Sequence, residues 1–241
     1  MSNMRKKYFI KFIFRCIIFC LLLLLYFYRP ESFEILKGFQ FFKEFSPLHI
    51  LWFLWVFEMI EQLIPIKNQI SIGSQKIFAS RFRPIRDKIN KKALRSYIVK
   101  TTKAAYRVFL LWCILLAVVA ALYYTNKIGA RAILMLSALF YICDLICVLF
   151  WCPFRLIVET RCCTTCRIFN WDHIMMVSPL VFVPSFFSLS LVAFALIDFL
   201  VWEITIILHP ERFAEMTNAN LQCSECTDKL CTQNCKKLNR K

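Results

Sequence analysis

Glycine is nearly absent from this chain, with three residues in 241. No Gly-x-Gly-x-x-Gly or phosphate-loop pattern can be assembled from them, which argues against nucleotide binding through a glycine-rich turn. Histidine is equally scarce, at three. His49, His173 and His209 lie near the ends of apolar runs, not at matched depth inside them, which argues against a haem held between helices. Acidic residues number 15 against 31 Lys and Arg. No Ser, His and Asp carry the local motif of a hydrolase triad.

Apolar residues are plentiful, at 59% of the chain. A soluble domain needs roughly 45–50%. The excess is gathered into blocks. About 20 apolar residues in a helix cross roughly 30 Å of hydrocarbon. Five stretches qualify or come close: Phe12 to Tyr28, Pro47 to Ile64, Ala104 to Tyr124, Ala132 to Trp151 and Ile174 to Leu208. The expected fold is all-α: a polytopic transmembrane helical bundle of about five spans, with a Cys-rich juxtamembrane loop and a Cys-rich C-terminal tail. Trp52, Trp55, Trp151, Trp171 and Trp202 suit interfacial anchoring or packing.

The segments follow from this pattern. Residues 1–28 read as a retained signal anchor, because Arg5, Lys6 and Lys7 precede the apolar run and no small-residue cleavage site follows it. Residues 29–65 hold an outer loop and the second span. Residues 66–103 form a basic cytoplasmic loop, with 11 of the 31 Lys and Arg against the single acid Asp87. Residues 104–151 hold spans three and four, 152–173 a Cys-rich cytoplasmic loop, 174–208 a fifth span broken by Pro179 and Pro184, and 209–241 the tail. The basic excess in loop 66–103 puts it and the N-terminus inside the cell, in the plasma membrane. The fifth stretch allows two arrangements. A short re-entrant piece before one full span leaves the tail outside and gives five spans, the arrangement adopted. A tight hairpin of two short arms returns the tail to the inside.

The charge of +16 suggests nucleic acid as a partner. Its concentration in a loop between spans, without a nucleic-acid module, argues against one. The expected partners are the lipid bilayer and, through residues 81–103, anionic lipids of the inner leaflet. Pro84 can open a helix on which Ile85, Ile89, Leu94, Tyr97 and Ile98 share a face, as in a basic helix lying on a membrane.

Thirteen cysteines are the other signal. Cys223, Cys226, Cys231 and Cys235 follow a C-x2-C-x4-C-x3-C spacing, close enough in sequence to hold one ion or small cluster. The spacing lies near those of a zinc knuckle and a bacterial ferredoxin without matching either. Cys152, Cys162, Cys163 and Cys166 form a second group, in which the adjacent Cys162 and Cys163 cannot easily both ligate one ion. The cofactors these groups would hold are an Fe–S cluster or Zn²⁺. The competing readings are disulfides for the tail, and free or acylated thiols for the loop, since Cys152 sits at headgroup level. Cys16, Cys20, Cys113, Cys143 and Cys147 lie on apolar helices and read as packing residues.

Acids inside the spans complete the set. Glu58 and Glu61 share a face of span two, Asp144 is midway along span four, and Asp198 and Glu203 lie in span five. Carboxyl groups at such depth face a bundle interior or an aqueous cavity. With no Lys or Arg mid-span to pair with them, Asp144 and Asp198 are expected to be protonated and hydrogen-bonded between helices. Three functions follow. The first is a metal-binding membrane protein with a redox or electron-transfer role. The second is a proton- or cation-coupled transporter using Glu58, Asp144 and Asp198. The third is a non-catalytic assembly or signalling protein.

Overall fold

A computed structural model describes residues 2–43, 45–66, 70–85, 90–160, 162–226 and 228–230. It is 74% helical, and no strand occurs among the described residues. Among the described residues, four helices are long and apolar enough to cross a membrane: α1 (Asn3–Tyr28), α4 (Lys91–Tyr124), α5 (Ala130–Leu149) and α8 (Phe186–Leu208). The chain is thus a membrane protein by length and composition of its helices. The other helices are α2 (Leu48–Gln62), α3 (Ile72–Gln75), α6 (Phe154–Val158) and α7 (Asp172–Val177).

Local chemistry fixes the helix starts. Ser2, Ser71, Asn90 and Ser185 each accept a backbone N–H three residues on, capping α1, α3, α4 and α8. The Asn90 cap places the start of α4 thirteen residues before the apolar block at Ala104. The basic amphipathic stretch and the third span are therefore one 34-residue helix from residue 91 onward. Residues 86–89, on which Ile89 of the expected surface face falls, lie outside the described residues.

Helix α2 has only 15 residues, about 22 Å of rise, and so falls short of a full span. The fifth stretch is broken where its prolines require. Helix α7 passes at Ser178 into a 3-10 turn, Ser178–Phe182, with Pro179 in its first positions, and Pro184 precedes the Ser185 cap of α8. The arm 172–182 rises roughly 20 Å. Its lower end lies beside Phe109 and Glu203, through ring contact and a hydrogen bond of Trp171. Its upper end meets Tyr124 through Phe182. The amide of Phe186 then donates to the carbonyl of Gly38 at 2.9 Å. Gly38 sits at φ +51°, a left-handed conformation that favours glycine, so this turn accounts for one of the three glycines.

The tail lies at the same end of the bundle as the N-terminus. Ser2 Oγ donates to the Asp228 carbonyl at 2.6 Å. The Ala219 amide donates to the Arg83 carbonyl at 2.8 Å, and Arg212 to that of Ile77 at 2.7 Å. This is the end expected of the hairpin arrangement, not of the re-entrant arrangement adopted from the sequence. The proline-broken arm of 3-10 and α turns carries the chain from the level of Phe109 to that of Tyr124 between Trp171 and Phe182.

Two cores fill the bundle. One, around Leu22, Trp55, Leu134, Leu180 and Leu191, occupies the end of residues 29–46 and the middle. The other, around Ala105, Val108, Trp171, Trp202 and Phe213, lies toward the N-terminal end.

Candidate functional site: a charged chamber beside a cysteine-lined cavity

The acids of two helices, α2 and α5, meet a cation of α1 that the sequence leaves unassigned. Arg15 is one turn inside the first apolar run, and its residue is 6% exposed. Its Nη1 donates to Asp144 Oδ2 at 2.9 Å and to the Tyr141 carbonyl at 2.6 Å, and its Nη2 to Glu58 Oε2 at 3.0 Å. The Tyr141 hydroxyl donates to Glu58 Oε1 at 2.9 Å. The guanidinium also rests 3.9 Å from the Tyr141 ring centroid. Asp144 is therefore ion-paired, which corrects the expectation of a carboxyl group with no basic partner. The planar fork of arginine suits a site with two carboxylates.

Around this triad the polar groups continue. Lys11 pairs with Glu61 at 3.1 Å. Gln62 donates to Asp172 Oδ2 at 3.0 Å, and His173 Nδ1 lies 3.3 Å from Asp198 Oδ2. Farther down, Arg167 makes a two-pronged ion pair with Glu203, which also accepts from Trp171 Nε1 at 2.9 Å. A chamber of about 50 Å³ lies among Lys11, Arg15, Glu58, Glu61, Asp144, Asp172 and His173. Water needs roughly 10–15 Å³ of such space, so the chamber has room for a few waters or one small cation. Ser74, 2% exposed, also lines it. Among the described residues, Ser74 Oγ, Arg15 Nε, Gln62 Oε1 and Asp172 Oδ1 find no hydrogen-bond partner. Four carboxylates against two fixed cations leave the chamber at −2 with His173 neutral, or −1 with it protonated.

The cysteines separate differently from the sequence grouping. Cys152, Cys163 and Cys166 line a cavity of about 250 Å³ between α4, α5, α7 and the segment after α5. Cys143 and Cys147, expected to be packing residues, line it too, with Met175 and Met176. Their spacing of four along α5, running on toward Cys152, is the signal that could have grouped them. Cys162 does not line this cavity. It is buried, with its thiol 3.3 Å from Thr164 Oγ1. Cys162 is extended and Cys163 opens a 3-10 turn, so the chain turns between the two thiols. Asp144 and Asp172 line both the cavity and the chamber, so the two adjoin.

Three thiols of this region differ in character. The Cys147 thiol hydrogen-bonds Cys152, and the amides of Arg155 and Phe154 add to this, holding Cys152 down to about 7 against the opposing effect of burial. Burial pushes Cys163 and Cys166 up. Lys76, one of the basic block, is also buried here. Its Nζ donates to the carbonyls of Thr164 at 3.0 Å and Cys166 at 2.8 Å, under the Trp202 ring. Burial brings its ammonium down to about 7.

In the tail, Cys223 and Cys226 are half-buried, and the Lys229 amide donates to Cys226 Sγ at 3.4 Å. Cys231 and Cys235 lie outside the described residues. Among the described residues, no three His, Cys, Asp or Glu side chains converge as a metal-ligand group. No family model, curated protein or solved structure matches the chain.

Proposed function

We propose that this chain is a proton-coupled membrane carrier for a small cation, with the chamber around Arg15, Glu58 and Asp144 as its binding site. The observation that carries the reading is the charge imbalance of a buried chamber: four carboxylates, two fixed cations and one histidine. Carboxylates so placed are stabilised by taking up protons or a cation, and intramembrane acids commonly mark such paths. The buried hydroxyl of Ser74 offers an oxygen ligand beside them. No three of the described acidic or His side chains converge as a ligand set, so a hard cation in the chamber would take only one or two protein oxygens and keep part of its water shell.

The topology of the reading has the N-terminus, loop 66–103 and tail in the cytoplasm. The chain then crosses six times, with α2 and the arm 172–183 as its short crossings. The basic excess of the loop and the shared end of both termini support it. The chamber opens to the cytoplasmic end, where Lys11 is partly exposed. The apolar cluster of Leu22, Trp55, Leu134 and Leu180 closes the other side. Transport through one site requires an alternative state in which that seal parts.

The test is flux. The purified protein, reconstituted in liposomes with an imposed pH gradient, is expected to dissipate the gradient when Na⁺, K⁺ or Mg²⁺ is supplied on the far side. Asp144→Asn should lower that rate by about tenfold or more, the effect expected of removing an obligatory carrier of charge. A wild-type protein that moves neither protons nor any of these cations overturns the reading.

A further inference from the structure

We propose that Cys152 accepts a long-chain fatty acyl group as a thioester, with the acyl chain lying in the cavity between α4, α5 and α7. This site is independent of the flux proposed for the chamber, although the two share a wall.

Position comes first. Cys152 is three residues beyond the end of α5, next to Phe150 and Trp151, which are 54% and 57% exposed. Aromatic residues of this kind mark the membrane–water interface. A thiol there meets both an acyl chain in the bilayer and a carrier in the aqueous phase. Shape comes next. The cavity of about 250 Å³ beside the thiol is walled mainly by Trp112, Phe140, Val148, Phe169, Met175 and Met176, with Asp144 and Asp172 on the side it shares with the chamber. The former are apolar and polarisable surfaces that suit a hydrocarbon chain.

Reactivity separates Cys152 from its neighbours. Cys152 alone of the five directly follows the exposed Phe150 and Trp151, and the Cys147 thiol beside it holds the Cys152 thiol down to about 7 against the opposing effect of burial. Cys163 and Cys166 line the same cavity, but burial keeps them as thiols. The nucleophile is thus one particular sulfur among five.

Charge supplies the partner's other half. Acyl donors in water are thioesters of an anionic, phosphate-bearing thiol. The cytoplasmic part of α4, which packs against α6, carries Lys91, Lys92, Arg95, Lys100, Lys103 and Arg107. Of these, Lys100 and Arg107 share Glu159 of the adjoining segment. A net basic surface next to the thiol complements such a carrier. The step balances without a redox partner. The Cys152 thiolate attacks the donor's carbonyl carbon and a new S–C bond forms. The donor's C–S bond then breaks, and the carrier thiolate leaves, taking up the proton that Cys152 released.

The experiment uses the full-length protein in detergent with alkyne-tagged palmitoyl-coenzyme A, read after hydroxylamine treatment, which cleaves thioesters. Wild type is expected to carry a hydroxylamine-labile label, reduced about tenfold or more in Cys152→Ser and within about twofold of wild type in Cys163→Ser. Because Cys152→Ser could fail to fold, wild-type protein is also capped with methyl methanethiosulfonate at pH 7. That treatment should block labelling, and a reductant should restore it. Cys143→Phe, which fills the cavity, should lose palmitoyl label and keep acetyl transfer from acetyl-coenzyme A. Unlabelled wild type, or label undiminished by capping or by Cys152→Ser, overturns the acceptor. Palmitoyl label unchanged in Cys143→Phe overturns the cavity. Labelling that appears only after chelation of a bound metal overturns both, and assigns these thiols to a soft ion instead.

Discussion

The two halves of the bundle are held together by opposite chemistries. Toward the end of residues 29–46, the interior is apolar: Leu48, Trp55, Leu134, Leu180 and Leu191 are each 0% exposed. Toward the N-terminal end, α1, α2 and α5 present Arg15, Glu58 and Asp144 to each other, α8 sets Asp198 against His173, and Lys11 and Glu61 lie at the rim. The first half accepts other apolar groups of fitting volume, because apolar contacts are non-directional. The second does not, because a buried charge without its partner has nothing to replace it. Helices α1, α2, α5 and α8 run through both regions, so one set of helices carries a seal at one end and a titratable site at the other.

Substitutions can break this contrast. The largest effect is expected from Arg15→Met, which leaves Glu58 and Asp144 facing one another without their cation. Removing one partner of a buried pair costs about 3–5 kcal/mol, to be measured as thermal or denaturant unfolding in a mild detergent. Adding Glu58→Gln and Asp144→Asn should recover most of that loss, because the charges are removed together. Recovery of stability by this triple variant without recovery of flux would mark the triad as functional as well as structural. In the apolar half, Leu134→Ala should cost about 2–4 kcal/mol by leaving a cavity. No second substitution of charge would be expected to restore it. If both halves responded alike to neutral and to apolar changes, the contrast would be lost.

Lys76 sharpens the comparison from a third direction. Its ammonium ordinarily titrates near 10.5 and is brought to about 7 by burial. Between those values the unfolded chain binds more protons than the folded one, so stability rises with pH there, and below about 7 the full penalty remains. The expected gain from pH 7 to 10 is about 2–3 kcal/mol, after allowance for relaxation around the amine. Limited proteolysis of the segment 152–171 across that range checks it. Lys76→Met should flatten the pH dependence. The smallest effect is expected from Ser185→Ala, which removes the cap of α8 and should cost about 1 kcal/mol, seen as a modest fall in the same unfolding midpoint.

The sequence announces the long helices well and their partnerships poorly. The run Ala132–Trp151 corresponds closely to α5, and Phe12–Tyr28 shares its end with α1, which starts nine residues earlier at Asn3, because apolar runs are a local property of the chain and helix starts are not. The start of α4 and the shortness of α2 are less legible. One depends on a cap at Asn90 inside a basic stretch, and the other on where a neighbouring turn ends. The chamber itself was half legible. Glu58 and Asp144 stand out as carboxyl groups in apolar runs, but Arg15 lies 129 residues from Asp144 and near the edge of its own run. Nothing periodic links them. The same holds for Lys76, whose type suggests a solvated loop and whose surroundings are Trp202 and two backbone carbonyls. The cysteine grouping by nearness in sequence joined Cys162 to a cavity it does not line and left out Cys143 and Cys147, since helical spacing, not adjacency, brings thiols together.

The ion triad also has a history in time. Arg15 lies on α1 and Asp144 on α5, 129 residues later in the chain, so the cation is made well before its partner. Until α5 arrives, that guanidinium must stay at the water-facing edge of the bilayer, which its place one turn into the apolar run allows. Pairing of Arg15 with Asp144, and with it the final seating of α1 against α5, must therefore wait for the later helix.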